Sequence, residues 1–152
     1  MLLTWRNHPD VRRYMFTRHE IGLVEHHKWF AKASKDASRR LLIVEESKQA
    51  IGYVQFSRVV DGGISDWGFY VRPNAPKGTG LKLGVVSLNY AFEQLKLYKV
   101  CGQVIAPNNV SINFHLRLGF FQEGVLRDQQ QVDGSYHSLH CFGLLANEWQ
   151  PL

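Results

Sequence analysis

The chain has 152 residues, 45% of them hydrophobic and 20% charged, which fits one domain, residues 1–152, with a buried core. Its 18 Lys and Arg against 13 Asp and Glu leave a net charge of +5. That balance favours an anionic small molecule, while the scattered basic residues, without a run or tail, argue against nucleic acid. No apolar stretch approaches the ~18 residues of a membrane span, and the start MLLTWRNHPD has no signal-peptide core. Cys101 and Cys141 lie far apart with no CxxC, so buried free thiols, no metal, no membrane partner and a cytoplasmic location are expected.

Taken in chain order, Pro9 opens a short helical segment, Asp10 to Tyr14, and a second helix is expected over Leu23–Ala33. RLLIVEE (Arg40–Glu46) reads as a strand, SKQA as a turn, and IGYVQFSRVV (Ile51–Val60) as a strand. Along the latter, Tyr53, Gln55 and Ser57 alternate with Val54 and Phe56, so one face is polar and fit to line a site. Asp61-Gly62-Gly63 pairs it as a hairpin with Ile64–Val71. Val85, Leu88, Ala91, Phe92 and Leu95 recur at helical spacing and predict a helix from Gly80 to Leu97. Lys99–Ala106 is a strand. Asn108 is placed as the N-cap of a helix that runs to Leu118 and stops at Gly119. Two final strands flank Asp133-Gly134, a hairpin signal. The order α-α-β-β-β-α-β-α-β-β mixes hairpins with strand–helix–strand units and predicts an α/β (α+β) fold with a mixed sheet.

The stretch RPNAPKGTGLKLG (Arg72–Gly84) lies between a strand and a helix. Unpaired N–H groups and the helix dipole at such a helix start favour an anion. Gly78 and Gly80 allow close backbone approach, and Lys77 adds charge. It is neither a P-loop nor a GxGxxG turn. Downstream lies NNVSINFHLRLGF (Asn108–Phe120). Together these stretches resemble the GNAT superfamily of acyl-CoA-dependent N-acyltransferases. Gly78 and Gly80 match the glycines of its pyrophosphate-binding turn, although Ala75 stands where the family has Gln or Arg. Asn108, Ser111, Gly119 and Phe120 match its second motif, with His115 in place of a Tyr.

The resemblance implies a mostly antiparallel mixed sheet flanked by helices, with acetyl-CoA as co-substrate and no metal. Cofactor contacts are expected from Phe69, Val71, Lys77, Gly78, Thr79, Gly80, Leu81, Asn108 and Ser111. A backbone N–H near Tyr70 or Val71 would polarise the thioester carbonyl. His115 would protonate the departing thiolate, with direct attack in a ternary complex. Gln103 occupies the position of a carboxylate base and cannot titrate, so Asp66 or a water chain is left for that role.

The segment Arg6-Asn-His-Pro9, with Met15, Ile21, His26 and Trp29-Phe30, is similar to the branch of pseudaminic-acid pathway enzymes. These acetylate the 4-amino group of a UDP-linked 4-amino-4,6-dideoxy sugar. The resemblance carries substrate contacts onto Arg6, His26, Gln55, Ser57, Arg58 and Tyr70. A polyamine acceptor calls for several carboxylates, whereas a basic chain suits a nucleotide sugar. Same-fold enzymes acting on a protein N-terminus or polyamine, and a non-catalytic acyl-CoA binder, remain open. A homodimer is compatible with the exposed strand edges and aromatic residues.

Overall fold

A computed structural model describes residues 1–152. Six strands form one sheet: β1 (Arg40–Glu46), β2 (Gln49–Ser57), β3 (Ile64–Val71), β4 (Lys99–Ile105), β5 (Phe121–Val132) and β6 (Ser135–Leu145). Their spatial order is β1-β2-β3-β4-β6-β5. Only β3 and β4 pair in parallel; all other pairs are antiparallel. The helices are α1 (Leu2–Asn7), α2 (Pro9–Arg12), α3 (Leu23–Ala33), α4 (Thr79–Asn89) and α5 (Asn109–Arg117). No helix is long and apolar enough to cross a membrane.

Several boundaries differ from the sequence expectation for local reasons. The helix α1 was not foreseen, and α2 runs Pro9–Arg12 rather than to Tyr14. A residue before proline avoids the α region. His8 is accordingly extended, φ −62° and ψ 136°, and divides the N-terminal helical stretch in two. The first hairpin turns on Ser47-Lys48, both with positive φ, so Gln49 and Ala50 already pair with Glu46 and Glu45. β2 stops at Ser57 because Arg58 takes φ +59°. α4 ends earlier than expected and continues as a π-helical turn over Tyr90–Gln94, closed by Lys96 at φ +53°. Asp133-Gly134 forms the second two-residue hairpin turn, as its sequence predicts.

Alternation along the strands gives the sheet two unlike faces. Val54, Phe56, Trp67, Val100, Val104, Phe142 and Leu144 point to one side. There they form the main core with Leu83, Leu88 and Ala91 from α4 and its continuation, and with Leu118 and Phe120 beyond α5. Gly84 lets α4 and α5 approach, since a Cβ there would lie 2.8 Å from both Phe114 Cζ and Leu118 Cδ1. The opposite face carries Tyr53, Gln55, Asp66, Tyr70, Cys101 and Gln103. The N-terminal segment crosses it, with Trp29 edge-on to Tyr53 at 6.4 Å and the Tyr70 hydroxyl 3.5 Å from the Leu2 carbonyl.

Candidate active site

The site begins where the sheet opens. β3 and β4 pair at only three positions, Ile64↔Lys99, Ser65↔Val100 and Asp66↔Cys101. Beyond them the strands separate and line a cavity of about 1110 Å³. The register fixes which backbone groups face it. The Arg72 N–H donates to the Ile51 carbonyl at 2.9 Å, so alternation commits Tyr70 and Gly68 to β2 and turns Phe69 and Val71 into the cleft. Likewise Ala106 N–H donates to Ser138 O at 2.9 Å, which commits Val104 and Gly102 to β6 and leaves the Gln103 backbone facing the gap. Of the two positions expected to polarise a carbonyl, Tyr70 is therefore excluded by its own sheet bond. Val71 remains, joined by Phe69.

The glycine turn closes one end. Gly78 is the N-cap of α4 at φ +92°, a conformation L-residues avoid. The Thr79 hydroxyl donates to Pro76 O at 2.7 Å and braces the turn. The N–H groups of Gly80 and Leu81 have no backbone partner, as the start of a helix requires. Thr79 and Gly80 line the cavity; Lys77 and Gly78 are exposed outside its lining, and the Leu81 side chain turns to the core. Asn108 and Ser111 line it as well, with the Asn108 side chain accepting from Ser111 N–H at 3.1 Å to cap α5. Those free amides and the cleft-facing backbone of Phe69 and Val71 fit a phosphate-bearing, amide-containing chain such as CoA.

His115, the expected proton donor, borders the cavity but sits in a closed setting. It is 2% exposed, ringed by Phe120 at 4.9 Å, Phe142 at 5.0 Å and Trp67 at 5.6 Å. An indole N–H only donates, so Nε2, 3.1 Å from Trp67 Nε1, accepts. Nδ1, 2.8 Å from the Ser111 carbonyl, must then donate. Both nitrogens are committed in the neutral tautomer. Burial pushes the imidazole down to about 4, with the Ser111 bond opposing only in part. The one ring proton of that form, on Nδ1, is held by the Ser111 carbonyl.

The other end is built from side chains. Arg6, Val11, Tyr14, Met15, Phe16, Thr17, His26, Trp29, Tyr53, Gln55 and Tyr70 line it. Arg6 Nη2 donates to Thr17 O at 2.8 Å, whereas Nη1 is buried without a partner. Burial lowers the guanidinium's pKa, opposed by nearby Tyr70. Burial also lowers His26, with His27 adding to the effect. Tyr70 is pushed up to about 12 by burial, and Tyr53 is raised for the same reason. Both are neutral phenols, 5.2 Å apart, and the Tyr53 hydroxyl donates to Gln55 Oε1 at 3.1 Å.

Two expected contacts fall away. Neither Ser57, the last residue of β2, nor Arg58 lines the cavity; Arg58, beyond the strand, turns out to pair with Asp66, Nη2 to Oδ2, at 2.7 Å. Cys101 and Cys141 are free and half-buried rather than buried, and Cys101 lines the cavity. Asn7 was missed. Its side chain clamps Ile21 both ways, Nδ2 to the carbonyl at 2.8 Å and Oδ1 from the N–H at 2.7 Å, and so holds the segment that carries Thr17. The two partners are 14 residues apart, and nothing local in the sequence signals the contact. Three carboxylates also line the site, each with a partner: Asp10 with the Arg13 guanidinium at 2.9 Å, Glu25 with the His19 ring at 3.1 Å, and Asp66 with the Arg58 guanidinium.

The acetyltransferase (GNAT) domain family matches residues 1–121. The chain is 30% identical over 115 residues to the acetyltransferase PseH of Campylobacter jejuni, covering 76% of this chain and 71% of that protein. It is 26% identical over 134 residues to spermidine N(1)-acetyltransferase of Escherichia coli K12, covering 87% and 72%. Among solved structures, spermidine N-acetyltransferase from Vibrio cholerae in complex with CoA and spermine superposes with a TM-score of 0.86, at 22% identity, over 97% of this chain and 89% of that one. At that identity the likeness is one of fold.

Proposed function

Since this chain belongs to the GNAT acetyltransferase family and is an N-acetyltransferase, we propose that it acetylates the 4-amino group of a nucleotide-linked 4-amino-4,6-dideoxy sugar, using acetyl-CoA. The observation that carries the acceptor class is the charge balance of the side-chain wall. Arg6 presents a buried, unpartnered Nη1, while Asp10 and Asp66 are each paired with an arginine and Glu25 is hydrogen-bonded to the His19 ring. A guanidinium with a free donor binds phosphate well. A polycation would meet Arg6, and two of the three lining acids are already held by arginines. The similarity to PseH supports the sugar, and the similarity to spermidine acetyltransferases supplies the alternative.

The chain's own groups divide the work. The free amides of Gly80 and Leu81 take the pyrophosphate, with Lys77 and Gly78 on the same turn and Asn108 and Ser111 at the head of α5. Phe69 and Val71 pair with the amides of the donor's pantetheine arm, and a Val71 or Phe69 N–H facing the cleft polarises the thioester carbonyl. Arg6, His26, Gln55 and Tyr70 hold the acceptor, with the neutral Tyr70 hydroxyl as a hydrogen-bond donor. Its amine attacks directly in a ternary complex. Asp66, oriented by Arg58 at the point where the sheet opens, receives the amine proton through water. The departing thiolate is protonated from solvent in the open cleft, since the one ring proton of His115 is held by the Ser111 carbonyl.

The test is thiol release from acetyl-CoA with the UDP-4-amino-dideoxy sugar, spermidine and a short free-amine peptide in separate assays. Turnover confined to the sugar is expected. Turnover confined to spermidine or peptide would replace the acceptor and keep the fold and donor. Silence with all three, with acetyl-CoA still bound, would make the chain a binder rather than a catalyst.

A further inference from the structure

The parallel pairing of β3 and β4 stops after Asp66↔Cys101, so the first register position left unpaired is Trp67 opposite Gly102. Those two residues meet His115. A Cβ on Gly102 would lie 2.7 Å from His115 Nε2 and 2.9 Å from Trp67 Nε1. The Trp67–His115 hydrogen bond thus lies directly over the β4 backbone, in the space a β4 side chain would otherwise take. It ties three elements together: Trp67 from β3, Gly102 from β4, and His115 from α5, whose Nδ1 is anchored in its own helix at Ser111. The same helix begins with Asn108 and Ser111 at the cleft. The rings packed on the imidazole are those of Trp67, Phe69, Phe114, Phe120 and Phe142, from β3, α5, the turn after it and β6.

We propose that His115 is a positioning residue: its hydrogen bond with Trp67 across Gly102 is the wedge that ends the β3–β4 pairing and holds the cleft-facing edge of Phe69 and Val71 open. This assigns the imidazole a purpose that uses its acceptor nitrogen rather than its proton. It also explains why β4 carries a glycine at 102 in the middle of the apolar strand VCGQVI. The part that concerns the donor rests on the acetyl-CoA reading above.

Three variants reach the wedge from three elements: Trp67→Phe removes the donor, His115→Phe the acceptor, and Gly102→Ala displaces the pair while removing no ionisable group. Each should weaken acetyl-CoA binding, measured by titration calorimetry, by about tenfold, the value of one buried hydrogen bond. The double variant Trp67→Phe/His115→Phe should be no weaker than the worse single, because both act through one bond. His115→Gln, which can accept from Trp67 and donate to Ser111, should recover most of the loss. In the ligand-free protein, amide exchange at Phe69 and Gln103 should slow roughly tenfold in Trp67→Phe as the strands pair further. Wild-type affinity and unchanged exchange in Trp67→Phe, with His115→Phe losing turnover alone, would overturn the wedge and return His115 to proton transfer. If the wild-type protein binds no acetyl-CoA, the donor reading fails, and the exchange experiment, which needs no ligand, still decides the wedge. A variant that fails to fold is replaced in the comparison by the other two.

Discussion

The two walls of the cavity are made of different material. The wall proposed to take the donor is backbone: the amides of Gly80 and Leu81, the free edge of Phe69 and Val71, and behind them the sealed core under α4 and α5. The wall proposed to take the acceptor is side chains, set on β2 and β3 and on the N-terminal helices and a loop that is held by Asn7, Arg6 and the Arg18–Asp133 pair at 3.2 Å. Backbone groups serve any sequence that keeps the turn and the register, so the donor wall tolerates change at many positions. The acceptor wall changes chemistry with each substitution.

The largest way to break the contrast is acid, which attacks the donor side from within. The native His115 is neutral down to about 4, whereas in the unfolded chain it takes a proton below about 6.5. Its contribution to stability is full above that unfolded value and is lost as pH falls toward 4, by roughly 3 kcal/mol in total. Urea unfolding at pH 7 and pH 4.5 measures the loss, and His115→Phe should flatten that part of the pH dependence. A wild-type midpoint that stays level over this range would contradict the buried, neutral imidazole.

Next in size, Gly84→Val should drive α4 from α5 and cost about 2 kcal/mol of stability through overpacking. Acetyl-CoA affinity should fall with it, since Ser111 and Asn108 move with α5. An unchanged denaturation midpoint would show that the helices have more room than the 2.8 Å approach allows.

Arg6→Ala sharpens the comparison from the other wall. It should raise the acceptor KM by about tenfold or more while leaving acetyl-CoA affinity within twofold, as expected for a lost charged hydrogen bond of roughly 1.5–3 kcal/mol. Equal losses for both ligands would show that the two walls are not independent. Arg58→Ala is the smallest test. The pair with Asp66 is exposed, so stability should change by less than about 1 kcal/mol. The acceptor KM should not move, since Arg58 lies outside the cavity; a large rise would restore it as a substrate contact.

Much of this was legible in residue order, and the reasons are local. The Asp133-Gly134 hairpin, the Asn108 cap, the stop at Gly119 and the αL demand at Gly78 each follow from what one or two residues can do to their own backbone. The split of the N-terminal helix at His8-Pro9 was legible in principle, since Pro9 alone dictates it. The π-helical end of α4 was not, because the apolar spacing through Leu95 is compatible with either winding.

By itself, then, the sequence determined the kind of sheet, the glycine turn and the family, because those rest on period, turn chemistry and spacing along the chain. Only the tertiary structure decided what each candidate side chain touches. His115 has the chemistry of a proton donor, and Arg58 that of a phosphate ligand. The fold sets both in other company: Trp67, 48 residues from His115, occupies its Nε2, and Arg58, one residue beyond the end of β2, pairs with Asp66. The role of a titratable group is set by the neighbours that desolvate and bond it, and those neighbours come from distant parts of the chain.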